Sequence, residues 1–183
     1  MPEPGTCGDV DGPGPGNASV TDDDCGPGFL LDTSALDGRC ANTTCDVAGT
    51  AADKALCCVA QATCGDADGE GAGTAAVSNA DCGEGFLYDP SSPSSLCTDA
   101  VCDVSGPAAD KTTCCMAQAT CGDADGEGSS AAAVSDADCG EGHLYDPSSA
   151  ASFCASAACD ISGTAADKAA CCVEIFFPDG QLL

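Results

Sequence analysis

Six cysteines recur along this chain at fixed spacing, three times over. Cys7, Cys25, Cys40, Cys45, Cys57 and Cys58 return as Cys64, Cys82, Cys97, Cys102, Cys114 and Cys115. They return again as Cys121, Cys139, Cys154, Cys159, Cys171 and Cys172. The period is 57 residues, with no insertion or deletion. Self-similarity at such a period marks one supersecondary unit copied in tandem. It divides the chain into a lead-in at 1–6, cysteine-rich repeats at 7–63, 64–120 and 121–172, and a divergent tail at 173–183.

A repeat of this kind has little with which to build an apolar core. The whole chain of 183 residues holds five Phe, two Tyr and no Trp, and much of its hydrophobic fraction is Ala and Cys. Apolar burial yields about 25 cal/mol per Å², whereas ordering the backbone costs about 1–2 kcal/mol per residue. The 18 cysteines resolve the difficulty, because a content of this order is the mark of a disulfide scaffold. Such bridges persist in oxidising compartments. The expected fold is therefore a string of small disulfide-rich modules. Each is mostly loops and turns, with short β segments and one short helix.

Six cysteines allow 15 pairings. A bond between neighbours would close a strained ring, so the vicinal pair Cys57-Cys58 and its copies must staple two different segments to one point. An even count per repeat predicts modules closed on themselves. The alternative use of so many thiols is a metal–thiolate protein. Against it, the chain has no C-x-C or C-x-x-C, the spacing that zinc sites use. The single His143 stands where the other repeats carry Phe.

Local patterns place the elements. Thr50-Ala51-Ala52-Asp53 and Thr164-Ala165-Ala166-Asp167 read as a hydroxyl N-cap with a carboxylate three residues on. Pro107, at the same place in repeat two, is compatible with a helix start. The helix is expected to run through the linker to about Ala62 and to set the angle between modules. Phe29-Leu30-Leu31, Phe86-Leu87-Tyr88 and His143-Leu144-Tyr145 are strand candidates, and Val20, Val77 and Val134 begin another. The expected core of a module is Val77, Leu87, Leu96, Val104 and the cystines, with their equivalents.

Charge restricts the partners. Thirty acidic residues face four basic ones, for a net charge of −26. Nucleic acid is excluded, since phosphate binding needs a basic face. No stretch is long and apolar enough for membrane insertion as a helix. Cations, basic polymers or other copies of the chain are the natural partners. Within the acidic total, Asp66, Asp68 and Glu70, and again Asp123, Asp125 and Glu127, stand at alternate positions ahead of a glycine. This resembles the opening of an EF-hand calcium loop, without its closing Glu at position twelve. Repeat one has Pro13 in place of the third acid and is expected to bind poorly. The other reading is a solvated turn following a bridged cysteine. Calcium is thus the one cofactor considered.

Two glycosylation sequons begin at Asn17 and Asn42, both in repeat one. No catalytic constellation is present: one His supplies no repeated acid–base partner, and no nucleophile elbow, P-loop or dinucleotide fingerprint occurs. The chain is therefore not expected to be an enzyme. A disulfide module can also inhibit proteases through a rigid loop. The candidate here is Asp89 to Leu96, whose equivalents differ between repeats.

The words CGDADGEG, DCGEG followed by LYD, and CDVSG with AADK and CC resemble the cysteine-rich repeats of large secreted or cell-surface proteins from unicellular marine algae and related protists. The resemblance covers residues 7–172. It implies a secreted setting and a tandem architecture, and it carries no active-site residue. The opening Met1-Pro2-Glu3-Pro4 has neither the basic nor the apolar region of a signal peptide, so the chain reads as a fragment of a longer secreted protein. The expectation is an extracellular or cell-surface structural or adhesive protein, a component of a cell covering or filament.

Overall fold

A computed structural model of the protein describes residues 3–12, 18–71, 75–106, 108–128 and 133–175. The elements in order are α1 (Asp22–Cys25), β1 (Phe29–Leu31), α2 (Ala51–Cys57), β2 (Cys58–Ala60), α3 (Asn79–Cys82), β3 (Phe86–Tyr88), α4 (Ala108–Cys114), β4 (Cys115–Ala117), α5 (Asp136–Cys139), β5 (His143–Tyr145), α6 (Ala165–Cys171) and β6 (Cys172–Glu174). Short 3-10 turns lie at Thr33–Ala35 and Pro147–Ser149. The chain forms two compact units, 1–77 with 91–113 and 78–90 with 114–183, a division that runs through repeat two. It is a small disulfide-rich protein of short sheets, few short helices and turns, as its composition predicts.

In the first unit, α1 exists because Thr21 and Asp24 cap one another. The Asp24 amide donates to Thr21 Oγ1 (3.3 Å), and the Thr21 amide donates to Asp24 Oδ2 (2.9 Å). The helix stops at Gly26, whose φ of 81° is left-handed. β1 follows and pairs antiparallel with β2, Phe29 opposite Ala60 and Leu31 opposite Cys58. Asp22 reaches back from α1 so that its Oδ1 accepts the Leu31 amide at 2.7 Å. This covers an edge donor that would otherwise invite strand pairing.

The second unit repeats this geometry. Asn79 Oδ1 accepts the Tyr88 amide (2.8 Å) and Asp136 Oδ1 accepts the Tyr145 amide (2.9 Å). β3 pairs with β4, and β5 with β6, in the same antiparallel register. The three strand candidates read from the sequence are β1, β3 and β5, residue for residue.

Several expectations are corrected. The seven-residue helices are present, but α2 ends at Cys57 and does not reach Ala62. The next residue, Cys58, already opens β2, because its covalent tie draws it onto the hairpin. Thr50 and Thr164 make no side-chain cap bond, since Asp53 and Asp167 are turned inward to other donors. Pro107 lies outside the described residues. Val20, Val77 and Val134 begin no strand. They are core residues, 2–4 % exposed, whose amides donate to the carbonyls of Cys7, Cys64 and Cys121.

The core is cystine with a few aliphatics. In repeat one it gathers Cys7, Val20, Cys25, Cys40, Cys45, Val47 and Cys57. In repeat three it gathers Cys121, Val134, Cys139, Cys154, Ile161 and Cys171, joined by Ala119 from the preceding linker. Val77 and Val104 are buried as expected, but Leu87 is only half-buried and Leu96 is 45 % exposed. Sulfur fills the interior that these leucines were expected to occupy.

Candidate functional site

The disulfides set the geometry of everything else. Repeat one pairs Cys7 with Cys57, Cys25 with Cys58 and Cys40 with Cys45. Repeat three pairs Cys121 with Cys171, Cys139 with Cys172 and Cys154 with Cys159. In repeat two, Cys82 joins Cys115 and Cys97 joins Cys102, and Cys64 and Cys114 are also disulfide-bonded. The vicinal cysteines thus staple two segments to one point, one from each side of the helix-to-strand switch. Among the described residues no cysteine is free. The sulfurs of Cys7, Cys40 and Cys57 lie within 4.8 Å of one another, as do those of Cys121, Cys154 and Cys171. All of them are oxidised here, and metal ligation requires the thiolate.

One carboxylate per repeat is buried against this knot. Asp53 is 1 % exposed. Its Oδ1 accepts the Ala41 amide (2.8 Å) and its Oδ2 accepts the Asp46 amide (3.0 Å). Those amides follow Cys40 and Cys45, so the side chain grips both ends of the small disulfide loop. Asp110 takes the Thr98 and Asp103 amides, and Asp167 those of Ala155 and Asp160, in the same way. The sequence pattern offered a signal for this role. The aspartate recurs in all three repeats, whereas the capping Thr is replaced by Pro107 in the second.

The acidic loops are turns locked by their own carboxylates. Asp66 Oδ2 accepts the Gly71 amide (3.0 Å), and Asp68 Oδ1 accepts the Glu70 amide (3.2 Å). Asp123 and Asp125 do the same for Gly128 and Glu127. Gly69 has φ +66°, and a Cβ on it would stand 2.5 Å from the Ala100 carbonyl oxygen. The glycine is therefore required by close packing on the small disulfide loop, whether or not an ion binds. Oδ1 of Asp9, Asp66 and Asp123 is buried without a hydrogen-bond partner. In repeat one, burial, then a hydrogen bond donated to the Asp11 carboxylate and that group's negative charge, raise the Asp9 carboxyl above its ordinary value. Among the described residues, carboxylate oxygens do not gather in threes within 4.8 Å.

The linkers belong to two repeats at once. Within the first unit, the Gln61 amide N–H donates to the Gly28 carbonyl of repeat one (3.0 Å), while its side-chain Nε2 donates to the Cys97 carbonyl of repeat two. Ala62 is fully buried, and its amide donates to the Asp99 carbonyl (3.1 Å). Within the second unit, Gln118 bridges Gly85 and Cys154, and the Ala119 amide donates to the Ser156 carbonyl (3.1 Å). The Gln61-Ala62 and Gln118-Ala119 dipeptides make one junction, built twice.

The remaining candidates are quickly placed. Asn42 is exposed in the loop closed by Cys40 and Cys45, and Asn17 lies outside the described residues. In the proposed inhibitor stretch, Ser92 is buried, and the Pro93 and Ser95 carbonyls accept the amides of Gly65 and Cys64. The loop is thereby tied down at its C-terminal end.

Comparison with protein-family models, curated proteins and solved structures gives no match. Disulfide bonding this extensive is typical of extracellular proteins. Among the described residues no helix is long and apolar enough to cross a membrane.

Proposed function

We propose that the protein is a structural or adhesive repeat protein of an extracellular or cell-surface array, non-catalytic, with cations, basic polymers or further copies of itself as partners. One observation carries this reading. The first-to-fifth bridge, Cys7 to Cys57 and Cys121 to Cys171, joins the entry of a repeat to its exit. Tension along the chain crosses that bond and bypasses the segment between, a sequence separation of 50. A repeat wired this way cannot lengthen while the bond is intact, and the shared Gln junctions couple neighbours in series. Such properties suit a cell-covering or filament component, the setting that the resemblance to algal surface repeats also implies.

Single-molecule stretching tests it. The oxidised protein should show no unfolding steps within repeats one and three. Reduction should release about 170 Å per repeat, at roughly 3.4 Å per residue. Steps of that length in the oxidised protein would overturn the reading, as would free thiols after oxidising expression.

A second element is calcium. The partnerless Oδ1 atoms of Asp66 and Asp123 favour it, because a buried carboxylate oxygen is costly without a counter-charge or donor; Asp9 of repeat one shares that partnerless atom but lacks the third acid, which Pro13 replaces. Asp66, Asp68 and Glu70, and Asp123, Asp125 and Glu127, would supply the ligands. Calorimetry should find two weak sites, lost in Asp66→Asn and Asp123→Asn. Absence of heat at millimolar Ca²⁺ removes this element and leaves the mechanical one standing.

A further inference from the structure

Repeats one and two meet across an open cleft of about 740 Å³ within the first unit. One wall is the β1–β2 hairpin, where Leu30 and Val59 stand opposite one another and are half-buried. The other is the small disulfide loop of repeat two, where Val101 is 58 % exposed. Asp22, Asp32 and Asp99 share the lining, and none of the chain's four basic residues does.

Both walls are fixed before anything binds. Asp22 Oδ1 accepts the Leu31 amide (2.7 Å) and Asp32 Oδ1 the Ser34 amide (2.9 Å). Across the cleft, the Asp99 carbonyl accepts the Ala62 amide (3.1 Å), and buried Asp110 holds the Thr98 amide (2.7 Å). Walls already in place spare a ligand the cost of ordering them. Among the described residues, carboxylate oxygens do not gather in threes within 4.8 Å, so the cleft is no cage for a bare metal ion. Apolar walls with separated anionic groups fit a cation carried on an aliphatic stem.

The second junction, within the second unit, has similar walls with less charge. Leu87 stands opposite Met116, and the Ala119 amide donates to the Ser156 carbonyl as Ala62 does to Asp99. Asn79 replaces Asp22, Ser156 replaces Asp99 and Ala158 replaces Val101, which leaves Asp89 as the one acid of the three positions. Both junctions are interior to the chain, so the difference is one of side chains and not of place.

We propose that the cleft between repeats one and two binds a lysine side chain of a basic polypeptide, its aliphatic stem against Leu30, Val59 and Val101 and its ammonium among Asp22, Asp32 and Asp99. The inference gives the basic-polymer partner a site and rests on that reading. Lysine suits the cleft because its charge is compact and its four-carbon stem is flexible. The acidic surplus of the whole chain draws a basic polymer in, and the cleft then selects the side chain.

The oxidised full chain, isotope-labelled, is titrated with ammonium, n-butylammonium and acetylated tetralysine amide at near-physiological ionic strength, and amide resonances are followed. Saturable shifts are expected at Leu30, Val59 and Val101, without matching shifts at Leu87, Met116 and Ala158. Butylammonium should bind more tightly than ammonium, by about fourfold for each methylene that the walls cover. Asp32→Asn and Asp99→Asn should each weaken tetralysine by up to about fivefold. Glu141→Gln, which removes the same charge from an exposed position in repeat three, should not. The triple variant Asn79→Asp, Ser156→Asp and Ala158→Val should gain a second site and double the stoichiometry. Tetralysine that binds without shifts at the first junction, or that is weakened equally by Glu141→Gln, overturns the cleft and leaves the basic-polymer partner standing. Equal binding of ammonium and butylammonium overturns the part given to the apolar walls, and a triple variant with one site overturns the part given to the three carboxylates. No binding of tetralysine anywhere on the chain overturns both the cleft and that partner.

Discussion

The carboxylate of Asp53 accepts the amide of Ala41 at 2.8 Å from a position that water does not reach. With its second bond to Asp46 it secures both sides of the Cys40–Cys45 loop. Asp53→Ala would strand two donors in the interior. Unsatisfied groups of this kind cost about 1–3 kcal/mol each, so a loss of about 2–6 kcal/mol is expected, read by denaturant unfolding with disulfides intact. Asp53→Asn should recover part of it, since one acceptor oxygen remains. An unchanged midpoint in Asp53→Ala would show that the contact is incidental.

The small loop should also be the first to open under reductant. Cys40–Cys45 closes a sequence separation of 5, against 50 for Cys7–Cys57 and 33 for Cys25–Cys58. Chain entropy then favours the short bridge by about 2 kcal/mol and the longest by about 4 kcal/mol. Cys102 and Cys159 are half-buried, while Cys7, Cys64 and Cys121 are sealed. Limiting reductant followed by alkylation should label Cys40, Cys45, Cys97, Cys102, Cys154 and Cys159 ahead of the rest. Earlier labelling of the vicinal pairs would contradict the ordering.

What was legible in the sequence was whatever is encoded locally. A glycine followed by a triplet centred on leucine marks β1, β3 and β5, and the cysteine period marks the repeats. The capping pairs Thr21 with Asp24, Ser78 with Asp81 and Ser135 with Asp138 were also present, but four-residue helices are too short to show a helical period. The end of α2 was not legible. Nothing near Cys58 stops a helix, and what stops it is a bond to Cys25, distant in sequence. Asp53 was mistaken for a cap because its real partners lie seven and twelve residues away. Of the candidate site, the acidic loops were found, but the junction role of Gln61 depends on a contact with the next repeat that no local pattern records.

That junction is itself testable. Gln61 and Gln118 each place a backbone bond in one repeat and a side-chain bond in the next. Truncating either to Ala should cost about 1 kcal/mol, the net value of a neutral hydrogen bond. The effect should be local: faster amide exchange at Ala62 and Cys97, or at Ala119 and Cys154, with α2 and α6 unaffected. Exchange mass spectrometry checks this. Uniform loss of protection through a whole repeat would mean that the glutamine supports the fold and not the junction.

Acid should weaken the fold through its caps. The hydroxyls of Thr21, Ser78 and Ser135, followed by backbone amides, hold Asp24, Asp81 and Asp138 below their ordinary value of 3.8. Asp32, Asp103 and Asp146 are lowered by Ser34, Ser105 and Ser148. A carboxyl lowered on folding contributes stability that is complete above its unfolded pKa and is lost as pH falls through the folded one. Asp9 runs the other way: its raised pKa favours the fold at low pH, and that contribution fades as pH rises through the folded value. Six lowered groups outweigh one raised, so melting temperature should be level near neutrality and fall below about pH 4. Replacing Asp24, Asp81 and Asp138 with Asn should flatten that acid limb while leaving the six bridges of repeats one and three formed. If the triple variant kept the wild-type slope, the acid sensitivity would have to originate outside the capping boxes.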